Sequence, residues 1–162
     1  MARSQGHRRH GRVREAAAAG YATQAQPPEL TGVVLDSDVV IEILRGRSGL
    51  VEAAAALEAT AIPTYCTPVS WAEVYAGLRP GEEALTEAFF EARAEVVLDR
   101  RVGQRAGDYL ARYARSHGVE MGDALIAAAA AVSGLRLWTL NRRHYPMREL
   151  RFYDPPAPRR RA

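Results

Sequence analysis

Short apolar runs that stop at an acid or an amide recur along this chain, with helical sequence between them. Gly32-Val33-Val34-Leu35 runs into Asp36, Val96-Val97-Leu98 into Asp99, and residues 135–140 into Asn141. Residues 62–66 form another run, closed by Thr67-Pro68, and residues 150–153 complete a set of four to five. Runs this short and this continuously apolar read as strands buried on both faces. Between them, residues 38–44, 50–59, 68–78, 82–94, 101–116 and 123–132 carry helical patterns. Thr67 is placed to cap a helix whose first residue is Pro68. His117-Gly118 and Ser133-Gly134 read as helix ends. Strands alternating with helices predict an α/β fold: a three-layer α/β/α sandwich around a central parallel sheet of four to five strands.

Charge divides the chain into three parts. Every one of the 22 basic residues is Arg. Residues 1–30 carry five of them against Glu15 and Glu29, and residues 155–162 carry Arg159, Arg160 and Arg161. The stretch 31–154 holds 14 Arg against 17 Asp and Glu, so the basic character belongs to the ends. Residues 1–30, rich in Arg, Ala and Gln, offer little to a core and are expected to be a disordered basic extension. Residues 155–162 are expected to be a disordered Arg-rich tail, leaving 31–154 as the single folded domain. No uncharged apolar stretch approaches the length of a membrane span, and the AAAAG run is too short for a signal peptide. With Cys66 the only cysteine, no internal disulfide can form, which fits a reducing cytoplasm.

In parallel sheets ligands sit beyond the carboxyl ends of the strands. The residues there are Asp36 and Asp38, the helix carrying Glu73, Asp99, and Asn141, and Asp123 opens an otherwise apolar helix (ALIAAAAAV). Any one of these acids has a plain reading as a helix cap; Asp99 is expected to be one. An ionised Asp123 on a buried helix must face something polar. If Asp36, Glu73 and Asp123 converge, they repel by about 4 kcal/mol per pair at about 4 Å and an effective dielectric near 20. A divalent cation offsets that repulsion, and oxygen donors select a hard ion, Mg²⁺ or Mn²⁺. No second Cys and no His is close in sequence to these acids, which argues against zinc. Cys66, Trp71 and Trp138 read as core, and His117 as a helix-end residue.

Three segments resemble the PIN domains of VapC-type toxins. VVLDSDVVIEILRG is similar to their opening strand and helix. TPVSWAEVYAGL is similar to their Ser-x-x-Glu segment, here Ser70 and Glu73 with Gly77 after it. GVEMGDALIAAAAAVSGLRLWTLNRRHY resembles their closing pattern of Asp-x-x-Ile-Ala-Ala, a strand ending in Thr-x-Asn or Thr-x-Asp, and an aromatic soon after. The resemblance spans residues 33–153. It implies a PIN-like nuclease domain over 31–154, with Asp36, Glu73 and Asp123 as metal ligands and Asn141 in the fourth catalytic position. It implies a Mg²⁺- or Mn²⁺-dependent endoribonuclease acting on tRNA or rRNA. A VapB-type antitoxin as partner and a homodimer are also implied, with no membrane association. Metal ions held by the acids would activate a water for in-line attack and stabilise the leaving oxygen. Asn141 in place of Asp puts a second metal in question. Asp38, Ser70, Thr139 and Arg142 are candidate supporting or substrate-binding residues, with Thr139 placed to orient a water, and Arg142, Arg143 and Arg148 to grip phosphate.

Two other readings compete. VVLDSDVV also fits the opening of haloacid-dehalogenase-type phosphatases, with Asp36 as nucleophile and Asp38 as acid/base. That family wants a later Lys or Arg and a second Asp after Gly122-Asp123, where this chain has Ala124, and it leaves Glu73 without a role. A degenerate PIN domain that only binds RNA or a partner is the non-enzymatic alternative.

Overall fold

A computed structural model of the chain describes residues 31–156. The expected extension 1–30 and residues 157–162 of the expected tail lie outside the described residues. Strands β1 (Val33–Leu35), β2 (Thr64–Cys66), β3 (Ala94–Glu95), β4 (Arg136–Trp138) and β5 (Arg151–Phe152) form one sheet in the order β3-β2-β1-β4-β5. Every neighbouring pair runs parallel. The helices are α1 (Ser37–Leu44), α2 (Ser48–Glu58), α3 (Pro68–Ala76), α4 (Glu83–Glu91), α5 (Arg100–His117) and α6 (Met121–Ser133), with a 3₁₀ turn over Arg142–His144.

The three layers follow from strand periodicity. Successive side chains of a strand point to opposite faces. Val33 and Leu35 of β1 therefore join Trp138, Val39, Val40, Leu57, Cys66 and Phe90 in a core beneath α1–α4. Val34 and Leu137 join Val102, Ala106, Tyr109 and Ile126 in a second core beneath α5 and α6. Within α6, Ala127, Ala128, Ala129 and Ala130 are fully buried. Their small side chains let the helix lie close to both the sheet and α5. The expected sandwich and its parallel sheet are what the chain adopts.

Two boundaries differ from expectation for physical reasons. The third strand is Ala94–Glu95, not Val96-Val97-Leu98: pairing runs Tyr65 with Ala94 and Cys66 with Glu95. Val96 donates one last hydrogen bond to the Cys66 carbonyl at 2.9 Å, and Val97 is exposed. Helix α6 starts at Met121, with Glu120 as its cap, so Asp123 sits in the first turn rather than opening the helix. Its Oδ2 accepts from the Glu120 backbone N–H at 3.0 Å, half of a capping box.

Asp99 caps α5, accepting from the Val102 N–H at 3.0 Å, and Gly118 ends that helix in the left-handed conformation. We expect Asp99→Ala to destabilise the fold by about 1 kcal/mol, seen as a lower urea midpoint with an unchanged slope. An unchanged midpoint would show that water replaces the cap at no cost.

From β1 the chain builds outward to β2 and β3, then returns to the other side of β1 for β4 and β5. The direction reverses between β1 and β4. Strands that part in opposite senses leave a crevice beyond their carboxyl ends, where α/β proteins place ligands. Asp36 follows β1 there, and Thr139 to Asn141 follow β4.

Candidate active site

Asp36 is held from two sides. One carboxylate oxygen accepts from the Ser37 N–H at 2.8 Å, making Asp36 the cap of α1, and the other accepts from the Tyr145 hydroxyl at 2.8 Å. Burial, and then the neighbouring charge of Asp38, push this carboxyl up to about 7. Hydrogen bonds from Thr139, Tyr145 and Ser37 pull the other way without overcoming them.

Asp38, in the first turn of α1, reaches across the crevice to the β4 side. Its Oδ2 accepts from the Leu140 N–H at 3.0 Å and faces the Thr139 hydroxyl at 3.4 Å. Its Oδ1 is buried with no hydrogen-bond partner. Burial is the main cause of its raised pKa, and the charge of Asp123 adds to it. Thr139 also accepts from the Asn141 N–H at 3.0 Å, so one hydroxyl links the α1 acid to the loop that carries Asn141.

Asp123 comes from the start of α6 and faces His144, whose Nδ1 lies 3.6 Å from Asp123 Oδ2. Asn141 lies beside the same ring, its Nδ2 3.4 Å from His144 Nδ1. Glu73 is exposed on α3 and turns onto the start of α6. A Cβ added to Gly122 would stand 2.6 Å from Glu73 Oε1, so the glycine is what leaves that carboxylate room. Asp36, Asp38 and Asp123 thus share one end of the sheet, with Glu73 beside Asp123's helix. Beneath them lies Tyr145, whose hydroxyl is held protonated by burial and then by the charges of Asp36, Asp123 and Asp38.

Two residues of this cluster were not picked out from the sequence. Tyr145 was visible only as an aromatic after the fourth strand. His144 overturns the expectation that no histidine stands near the acids: the 3₁₀ turn brings it back over Asn141, with its N–H bonded to the Asn141 carbonyl at 3.1 Å. Ser70 is fully buried and donates to the Leu35 carbonyl at 3.4 Å. It pins α3 to the last residue of β1 and stands one residue from Asp36. Arg142 pairs with Asp154 and lies over the Phe152 ring, 4.6 Å from its centre, which ties it to the β5 edge. Arg143 is exposed on the same 3₁₀ turn. Arg148, also exposed, precedes β5 at the amino ends of the strands and so lies away from the acids, contrary to expectation, because β5 runs parallel to β4.

Among the described residues, no three His, Cys, Asp or Glu side chains are gathered closely enough to cage a metal by themselves. The chemistry of the cluster nonetheless fits a hard divalent cation. Asp38 presents a buried oxygen with nothing to bind, and burial first, then neighbouring acids, raises both Asp36 and Asp38. A cation would satisfy the orphaned oxygen and lower both acids together.

The family model of the PIN domain matches residues 33–150. The chain belongs to the PIN-domain family. Its relatives include ribonuclease VapC10 of Mycobacterium tuberculosis, 38% identical over 122 residues that cover 72% of this chain and 88% of the relative. Ribonuclease VapC19 of the same species is 32% identical over 115 residues, covering 70% and 92%. Solved structures share the fold. DNA-bound VapBC from Salmonella typhimurium superposes with a TM-score of 0.66 at 20% identity, covering 77% of this chain and 98% of that one. FitAcB from Neisseria gonorrhoeae does so with a TM-score of 0.56 at 24% identity, covering 76% and 97%. In this PIN domain the matched span contains every residue of the cluster at the sheet's switch point.

Proposed function

We propose that this PIN domain is the toxin of a type II toxin–antitoxin pair, an endoribonuclease that hydrolyses RNA phosphodiester bonds with Mg²⁺ or Mn²⁺. The observation that carries the metal-dependent reading is the buried, unpartnered Asp38 Oδ1 among acids crowded onto one end of the sheet. Family membership and the two ribonuclease relatives support the nuclease reading over the phosphatase and the degenerate domain.

Asp36, Asp123 and Glu73 would hold the cation, with Asp38 adding its free oxygen. Such an ion supplies activation of water for in-line attack and offsets charge on the leaving oxygen. The chain's own residues do the positioning. Tyr145 and Ser37 fix the Asp36 carboxylate, and Thr139 and Leu140 fix Asp38. Asn141 contributes a neutral amide. Arg143, exposed on the 3₁₀ turn between Asn141 and His144, is placed to meet RNA phosphates. The reading further includes tRNA or rRNA as substrate, a VapB-type antitoxin as partner, a homodimer and a cytoplasmic location. No helix among the described residues is long and apolar enough to cross a membrane.

The test incubates the purified protein with total tRNA and rRNA, with Mn²⁺, Mg²⁺ or EDTA, and in parallel with a phosphate monoester. We expect metal-dependent RNA cuts, none in EDTA, and no phosphate release. RNA left intact with both metals would overturn the nuclease reading.

A further inference from the structure

We infer that Asp123, His144 and Asn141 form a mixed nitrogen–oxygen subsite that takes a first-row transition ion in preference to Mg²⁺. The inference rests on the metal-dependent reading above and names the ion that this chain's own residues select. Three donors from two elements stand side by side. His144 Nδ1 lies 3.6 Å from Asp123 Oδ2 and 3.4 Å from the Asn141 amide. Neighbouring ligands on an octahedral cation at about 2.1 Å stand about 3 Å apart, so both separations need only a small contraction to close on one ion. The amide nitrogen and oxygen of Asn141 exchange places by a half-turn about the last side-chain bond, which presents Oδ1 to the same point.

The backbone holds this pair in register. Asn141 caps the 3₁₀ turn and its carbonyl accepts from the His144 N–H at 3.1 Å, and side chains three residues apart on such a turn eclipse. The His144 and Asp123 side chains are 32% and 20% exposed, open enough for an ion to enter from solvent. The donor set decides the preference. An amide in place of a carboxylate removes charge that Mg²⁺ depends on, and an imidazole nitrogen favours transition ions over Mg²⁺.

The test titrates the full chain with Mn²⁺ alone and Mg²⁺ alone by calorimetry, for wild type and His144→Gln. Pulsed electron paramagnetic resonance of the Mn²⁺-loaded proteins reads directly bound imidazole nitrogen. We expect wild type to bind Mn²⁺ more tightly than Mg²⁺ and to show nitrogen modulation. His144→Gln should lose about tenfold or more in Mn²⁺ affinity, the scale of disturbing one contact of a metal's ligand shell, together with the modulation, while Mg²⁺ affinity changes little. Mn²⁺ bound equally by both proteins, or nitrogen modulation that persists in the variant, would overturn the subsite and leave the metal-dependent reading standing. Failure of wild type to bind either ion would overturn both.

Discussion

Asp123→Asn is expected to lower RNA cleavage by about a hundredfold or more, the scale of removing one preorganised electrostatic group from an active site. The same variant should fold. Asn keeps an oxygen to accept from the Glu120 N–H, so the cap of α6 survives. It removes a charge that helps raise Asp38 and Tyr145, so the metal-free protein should be at least as stable as wild type. Cleavage is measured on purified variant with saturating Mn²⁺, and stability by melting in EDTA. Cleavage at the wild-type rate would remove Asp123 from the site.

Asp36→Asn is expected to stabilise the metal-free protein at pH 8. The Asp36 carboxyl is raised from 3.8 to about 7 in the folded state. Its contribution to stability is therefore fully present below about pH 4 and is lost as pH rises through about 7. Above that, folding holds a charge that burial and Asp38 disfavour, at a cost of up to about 4 kcal/mol for a shift of this size. An amide avoids the cost while its oxygen still accepts from the Ser37 N–H, and its NH₂ can donate to the Tyr145 hydroxyl. The gain in melting temperature should be largest in EDTA at pH 8 and should vanish near pH 4. In saturating Mn²⁺ the order should reverse, because the cation stabilises wild type through the carboxylate that the variant lacks. A variant less stable than wild type in EDTA at pH 8 would contradict the crowded-acid description of this end of the sheet.

What could be read from the sequence divides along physical lines. Burial on both faces writes itself into composition, so the strands before Asp36 and Asn141 and the all-apolar α6 were legible from apolar runs alone. Pairing does not. Val96 is buried and Val97 exposed, yet the residues in register with β2 are Ala94 and Glu95, because register depends on the partner strand. Cap chemistry was legible at Thr67 and Asp99, whose side chains act within three residues. The start of α6 was misplaced by two residues, since Glu120 and Asp123 cap reciprocally and either could be taken for the cap. His144 was missed because an Asn-x-x-His spacing has meaning only on a 3₁₀ turn, and nothing in Arg142-Arg143 announces one. Tyr145 meets Asp36 across 109 positions, a distance over which one sequence carries no pairing signal. Glu73 could be placed on its helix, but its turn onto Gly122 depends on how α3 packs beside α6.

The Asp38 carboxylate bonds to Thr139 and Leu140, 101 and 102 positions later, and β1 lies between β2 and β4. A ribosome releases the chain from its N-terminus, so β1, α1 and α3 emerge long before β4 and the turn that follows it. Until then β1 lacks one of its two neighbours, Asp36 lacks Tyr145, and the far wall of the crevice does not exist. Chains cut short by a premature stop or a stalled ribosome therefore carry the first acids without the means to use them. The site is assembled only once the residues that follow β4, through Tyr145, have been made.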